Sequence, residues 1–160
     1  MKIKYASLLA LVVLIVGFKV SGPEGRQVIV ATNQLQGTWE LVSEKHGDGA
    51  SMNAPQYGHF KKKMIAGKHY SWAEYNKEGT LLSMGGGTYT LVGNTYTENI
   101  EYFYPSGSGL LGATIPFECK VEEDSWHHAG FIQVREIDGE TGEYVVTETE
   151  KLSEVWKRIK

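Results

Sequence analysis

The sequence predicts an all-β chain: a single antiparallel up-and-down barrel of about 8–10 strands behind an N-terminal signal-peptide-like segment. Three observations predict it. From residue 35 onward, short runs of alternating polar and apolar residues are punctuated by turns, and no long 3.6-residue period interrupts them. Gly is abundant at 19 while Pro is only 4, which suits tight connections between short strands. The 9 Tyr and 4 Trp add residues that favour pleated, half-buried surfaces. Many hairpin-linked strands in one domain lose their open edges most simply by closing on themselves.

The N-terminus comes first. Lys2 and Lys4 precede an unbroken apolar run from Ala6 to Phe18. A short cationic segment followed by an apolar stretch of this length matches a secretory leader and falls short of the roughly 20 residues a membrane span needs. Residues 1–22 are read as a signal peptide or N-terminal anchor, 23–34 as a polar linker, and 35–160 as the barrel. Pro23 directly after Val20-Ser21-Gly22 disfavours cleavage there. Both a cut nearer Ala31 and an uncleaved anchor fit this pattern. The expected location is periplasmic or extracellular, with membrane contact only through an uncleaved leader. The lone Cys119 permits no intrachain disulfide and supplies no lipoprotein anchor after the apolar stretch.

Along the body, residues 37–44 alternate around Trp39 and Leu41, and 45–57 form a long polar loop. Strands are predicted at 58–66 and 68–75, with a turn at Asn76-Lys77-Glu78-Gly79. A short run at 80–84 meets the triplet Gly85-Gly86-Gly87, expected to bend a strand or admit a close neighbour. The clearest hairpin joins 87–92 to 95–104 through Gly93-Asn94, since Gly readily takes the positive φ of a tight turn. Strict alternation then puts Tyr96, Glu98, Ile100 and Tyr102 on one face. After a Ser/Gly-rich loop at 105–109 and an irregular stretch at 110–113, strands are expected at 114–123, 125–136, 143–150 and 153–159. A short helix near 150–154 is compatible with the pattern.

These residues carry a resemblance. Leu35-Gln36-Gly37-Thr38-Trp39-Glu40-Leu41 looks like the Gly-x-Trp opening of lipocalins and wider calycins. The hairpin from Gly86-Gly87-Thr88-Tyr89 through Tyr96-Thr97-Glu98 and the ending Trp156-Lys157-Arg158 resemble lipocalin-like domains of unknown function from exported Bacteroidetes proteins. The resemblance runs from about Leu35 to Arg158. It implies a barrel, with Gly37, Trp39 and Arg158 closing its base by cation–π stacking, and it implies no activity.

Charge and motifs narrow the function. The formal net charge is −3, and three of the sixteen basic residues (Lys2, Lys4, Lys19) lie in the leader. The remaining acidic body argues against nucleic acid as a partner, because phosphate binding needs clustered cations. The one basic run, Lys61-Lys62-Lys63, reads as a solvated strand face or edge guard. His59, His69, His127 and His128 show no metal-ligand spacing and read as surface or rim histidines, so no metal and no cofactor is expected. Ser106-Gly107-Ser108-Gly109 lacks the strand-to-helix setting of a nucleophile elbow. Cys119 reads as a buried, inert thiol.

The remaining constellation is Tyr89, Tyr96, Glu98, Ile100 and Tyr102. Facing inward, these residues would fix the polar end of a small apolar or amphipathic ligand. The alternative at this point is a filled, tyrosine-rich core in a non-enzymatic interaction module that recognises partners through loops 45–57 and 105–112. Acid/base chemistry at Glu98 is the enzymatic alternative. Otherwise the chain is expected not to be an enzyme.

Overall fold

A computed structural model describes residues 32–48, 51–106 and 109–160. The leader at 1–22 and most of the 23–34 linker lie outside the described residues. The body is a closed antiparallel barrel of eight strands in which each strand pairs with its sequence neighbours and the last returns to the first. The strands are β1 (Gly37–His46), β2 (His59–Ala66), β3 (His69–Asn76), β4 (Leu81–Val92), β5 (Thr95–Tyr104), β6 (Thr114–Glu122), β7 (Ser125–Ile137) and β8 (Tyr144–Ile159). A single helical turn, α1 (Thr32–Leu35), precedes them.

The two ends of the barrel differ. Residues 67–68, 93–94 and 123–124 make two-residue turns at the end where α1 sits. Gly93 takes φ +59° and Gly67 φ +61°, a region costly for side chains with a Cβ. The opposite end, the mouth, carries the longer connections 47–58, 77–80, 105–113 and 138–143. Alternation is cleanest in β6, where Ile115, Phe117, Cys119 and Val121 point inward and the residues between them outward. Trp39, Trp126, Trp156 and Tyr96 are completely buried and fill the closed half.

Eight continuous strands replace the shorter pieces expected from sequence. Gly85, Gly86 and Gly87 do not end a strand; they lie inside β4. Their lack of side chains makes room on both faces. Trp72 and Phe103 meet edge-on at 5.5 Å on the inner side, and a Cβ on Gly85 would stand 3.1 Å from the Trp72 indole. On the outer side the Tyr102 phenol lies across Gly86. Residues 150–154, compatible with a helix in sequence, continue β8 and pair with both β1 and β7.

Candidate functional site

The interior is built around two lysines and two glutamates. Lys63 Nζ donates to Glu98 Oε1 at 2.8 Å, and both side chains are buried. Four aromatic rings surround the same ammonium, with centroids at 4.9 Å (Trp156), 5.2 Å (Trp126), 5.9 Å (Tyr96) and 6.0 Å (Tyr70). Beside this pair, Glu154 receives His128 Nε2 at 2.5 Å and Trp156 Nε1 at 3.2 Å on Oε2, and Lys61 at 3.3 Å on Oε1. Lys61 also reaches Glu44 at the rim, 3.5 Å away.

Protonation states follow from this packing. Burial, with the charge of Lys63, holds His128 below the ordinary imidazole range despite the pull of Glu154 and Glu98. Neutral His128 therefore donates its Nε2 proton to an ionised Glu154. Burial alone would raise the Glu154 carboxyl, but the His128 hydrogen bond and the charges of Lys61 and Lys63 outweigh it and hold the group well below its usual range. Burial pulls Lys61 down, and Glu154 and Glu44 more than compensate, so it stays protonated. Lys61 with Glu154 and Lys63 with Glu98 thus form two ion pairs side by side in the interior. Tyr70, Tyr96, Trp126 and His128 each keep a buried polar atom (Oη, Oη, Nε1 and Nδ1) without a hydrogen-bond partner among the described residues. Both phenols are pushed up by burial and by the neighbouring Glu98 carboxylate, and remain neutral.

Above this network, toward the mouth, lies a cavity of about 180 Å³. Trp72, Phe103, Leu110, Ile132 and Leu152 supply much of its apolar wall, and Lys61, Lys63, Glu98 and Glu154 its polar part. Leu110 is brought in by the β5–β6 connection, which hydrogen-bonds to the backbone of Ile100 through Gly112 and Ala113.

The residues singled out from sequence scatter across this architecture. Glu98 and Ile100 line the cavity. Tyr96 lies deeper, edge-on to Trp126 at 5.1 Å. Tyr89 belongs to the closed end, where its hydroxyl donates to the Gly67 carbonyl and accepts from Gln36. Tyr102 is on the outside and 41% exposed, a correction to the alternation argument. Ile100 pairs with Gly87 and Tyr102 with Gly86, so Glu101 is an extra bulged residue that inverts the faces beyond it. Phe103 takes the inward place expected of Tyr102. At the closed end the Arg158 guanidinium stacks 4.1 Å from the Trp39 ring centroid and donates to the carbonyls of Gln36 and Gln34. Gly37 packs beside it at φ +119°, where a Cβ would stand 3.0 Å from Arg158 Nη1.

Two further expectations are corrected. The run Lys61-Lys62-Lys63 is not a solvated face: alternation sends Lys61 and Lys63 inward on the same side as buried Ile65. His128 is not a surface histidine either; it stacks on Phe117 at 4.5 Å inside the barrel, while His127 faces out. Both assignments, and Glu154 with them, were open to the parity of buried Ile65, Trp126 and Trp156 on the same strands. Cys119 is buried, and burial pushes its thiol up to about 11.

No protein-family model and no curated protein matches the chain.

This electrostatic arrangement has a pH consequence. The unfolded chain binds protons at a free imidazole and a free carboxyl more readily than folded His128 and Glu154 do. Their contribution to stability is therefore fully present above about pH 6.5 and is lost as pH falls through the imidazole and then the carboxylate range. Urea unfolding is expected to show a plateau above about pH 7 and a steadily falling midpoint from there to about pH 4. A midpoint unchanged across that window would contradict the assignment.

Proposed function

We propose that the protein is a binding barrel for a small, largely apolar molecule held in its interior. The observation that carries this reading is the cavity on the mouth side of the ionic network. A barrel packed only for stability has no need of a space that size beside buried charges. For scale, an apolar protein cavity of about 150 Å³ accommodates benzene. The space of about 180 Å³ suits a ligand of comparable size and is smaller than the roughly 300 Å³ or more of drug-sized sites. In this reading the protein is a lipocalin-like carrier or sensor with no catalytic role, acting outside the cytoplasm behind the leader of residues 1–22. Trp72 and Trp156 line the cavity, so indole fluorescence should report ligand entry. Toluene is expected to bind the wild type and to lose binding in Ile132→Trp, which fills the space. Failure of the wild type to bind any single-ring compound would remove the reading.

A second reading, recognition of a partner by the mouth, is favoured by one observation. The β7–β8 hairpin runs beyond the pairing of its neighbours and exposes Phe131, Ile137, Tyr144 and Val146. Tyr57, in the β1–β2 connection, is 94% exposed at the same end. Several large apolar side chains exposed at one end of a fold are a feature of interaction surfaces.

A further inference from the structure

Resting on the reading of the cavity as a ligand site, we infer that its occupant is an uncharged, single-ring-sized molecule carrying one hydrogen-bond acceptor, received by the ammonium groups of Lys61 and Lys63.

The first ground is hydrogen-bond supply. An ammonium has three N–H donors. Lys63 directs one to Glu98, and Lys61 directs its donors to Glu154 and Glu44. The pair therefore keeps N–H groups beyond those spent on carboxylates, and both side chains line the cavity, although the Lys63 ammonium also packs against aromatic rings. Acceptors are scarcer. Glu154 Oε1 takes Lys61, and Oε2 already takes His128 and Trp156. Glu98 takes Lys63 on Oε1, and the unpartnered phenol O–H groups of Tyr70 and Tyr96 neighbour the same carboxylate. A ligand acceptor meets donors already in place, whereas a ligand donor would compete for these carboxylates with buried N–H and O–H groups.

Charge is the second ground. Lys61 and Lys63 balance Glu98 and Glu154, and His128 between them is neutral. An ionised ligand would unbalance an interior in which an unpaired charge is expensive. Glu44, at the rim beside Lys61, adds a further penalty for an anion. Most of the remaining wall, including Ile100, Phe103, Leu110, Ile132 and Leu152, offers side chains without polar atoms; the exceptions are His46 and the indoles of Trp72 and Trp156. That favours a ligand whose polar group sits at the Lys61 and Lys63 end.

Four probes that share one ring separate these properties: toluene, acetophenone, benzoate and benzylamine. Titration of the wild type at about pH 7, followed by indole fluorescence and ligand-observed NMR, is expected to rank acetophenone first. Its advantage over toluene should be about tenfold, equivalent to about 1.4 kcal/mol, and benzoate and benzylamine should bind more weakly than acetophenone. In Lys61→Met, which retains the apolar stem, acetophenone should lose most of its advantage over toluene. Toluene binding as tightly as acetophenone, or either ion binding more tightly, overturns the inference and leaves the cavity reading standing. Binding by none of the four removes the cavity reading and the inference together. The wild-type ranking decides the matter even where Lys61→Met proves unstable.

Discussion

Replacing Lys63 by Met is expected to cost the fold about 3–5 kcal/mol, because it leaves the buried Glu98 carboxylate without its counter-ion. Coulomb attraction is only part of the reason. The Lys63 ammonium also sits against four aromatic rings, and Met keeps the stem but returns nothing to Glu98. The destabilisation should therefore reside in the stranded anion, not in lost packing. Denaturant unfolding checks this by a double-mutant cycle. Lys63→Met/Glu98→Leu should recover most of the loss, since removing both charges also removes the desolvation penalty. If the double variant is as unstable as Lys63→Met alone, packing around the lysine stem is the source and the electrostatic account is wrong.

Trp39→Ala should be comparably severe, at about 3–5 kcal/mol for the loss of a wholly buried indole. The side chain has three roles at the closed end. It packs edge-on against Trp126 at 5.5 Å, donates Nε1–H to the Leu35 carbonyl at 2.8 Å, and carries the Arg158 guanidinium on its outer side. Removing it leaves a void between α1 and the core and takes the platform from Arg158. Arg158→Met should cost less, on the order of 1–2 kcal/mol, because a partly exposed cation contributes mainly through stacking and its carbonyl contacts. An unfolding midpoint for Trp39→Ala close to that of Arg158→Met would show that the indole does not hold the end together.

The barrel was legible in the sequence because its signals are local. Alternation in 114–122 and the Gly93-Asn94 turn speak for themselves, whereas the pairing of Trp39 with Arg158 was expected only through the resemblance to lipocalins. The site was legible only in part. Glu98 was found because it alternates with aromatic residues, which marks an inward face. Lys61 and Lys63 were missed because lysine is rarely buried, and a run of three lysines hides a period of two. Only the Ile65 parity placed them inside. His128 was missed for the same reason, next to an outward His127. Tyr102 was misassigned by one bulged residue, Glu101, for which the sequence carries no clear marker. The glycine triplet was recognised as special, but its purpose depends on Trp72 and Phe103 reaching across from neighbouring strands, a tertiary fact.

The pairing of β1 with β8 has a kinetic side. Seven of the barrel's junctions join consecutive strands, so each forms as a hairpin with a modest loop to close. The eighth brings Thr38 against Ile159 and joins the two ends of the domain, which makes it the slowest contact to find by diffusion. Trp39 and Arg158 are direct partners across that junction. Their stacking thus acts as a latch on the last contact to form: it adds little to finding the ring, but it slows the ring's reopening once found.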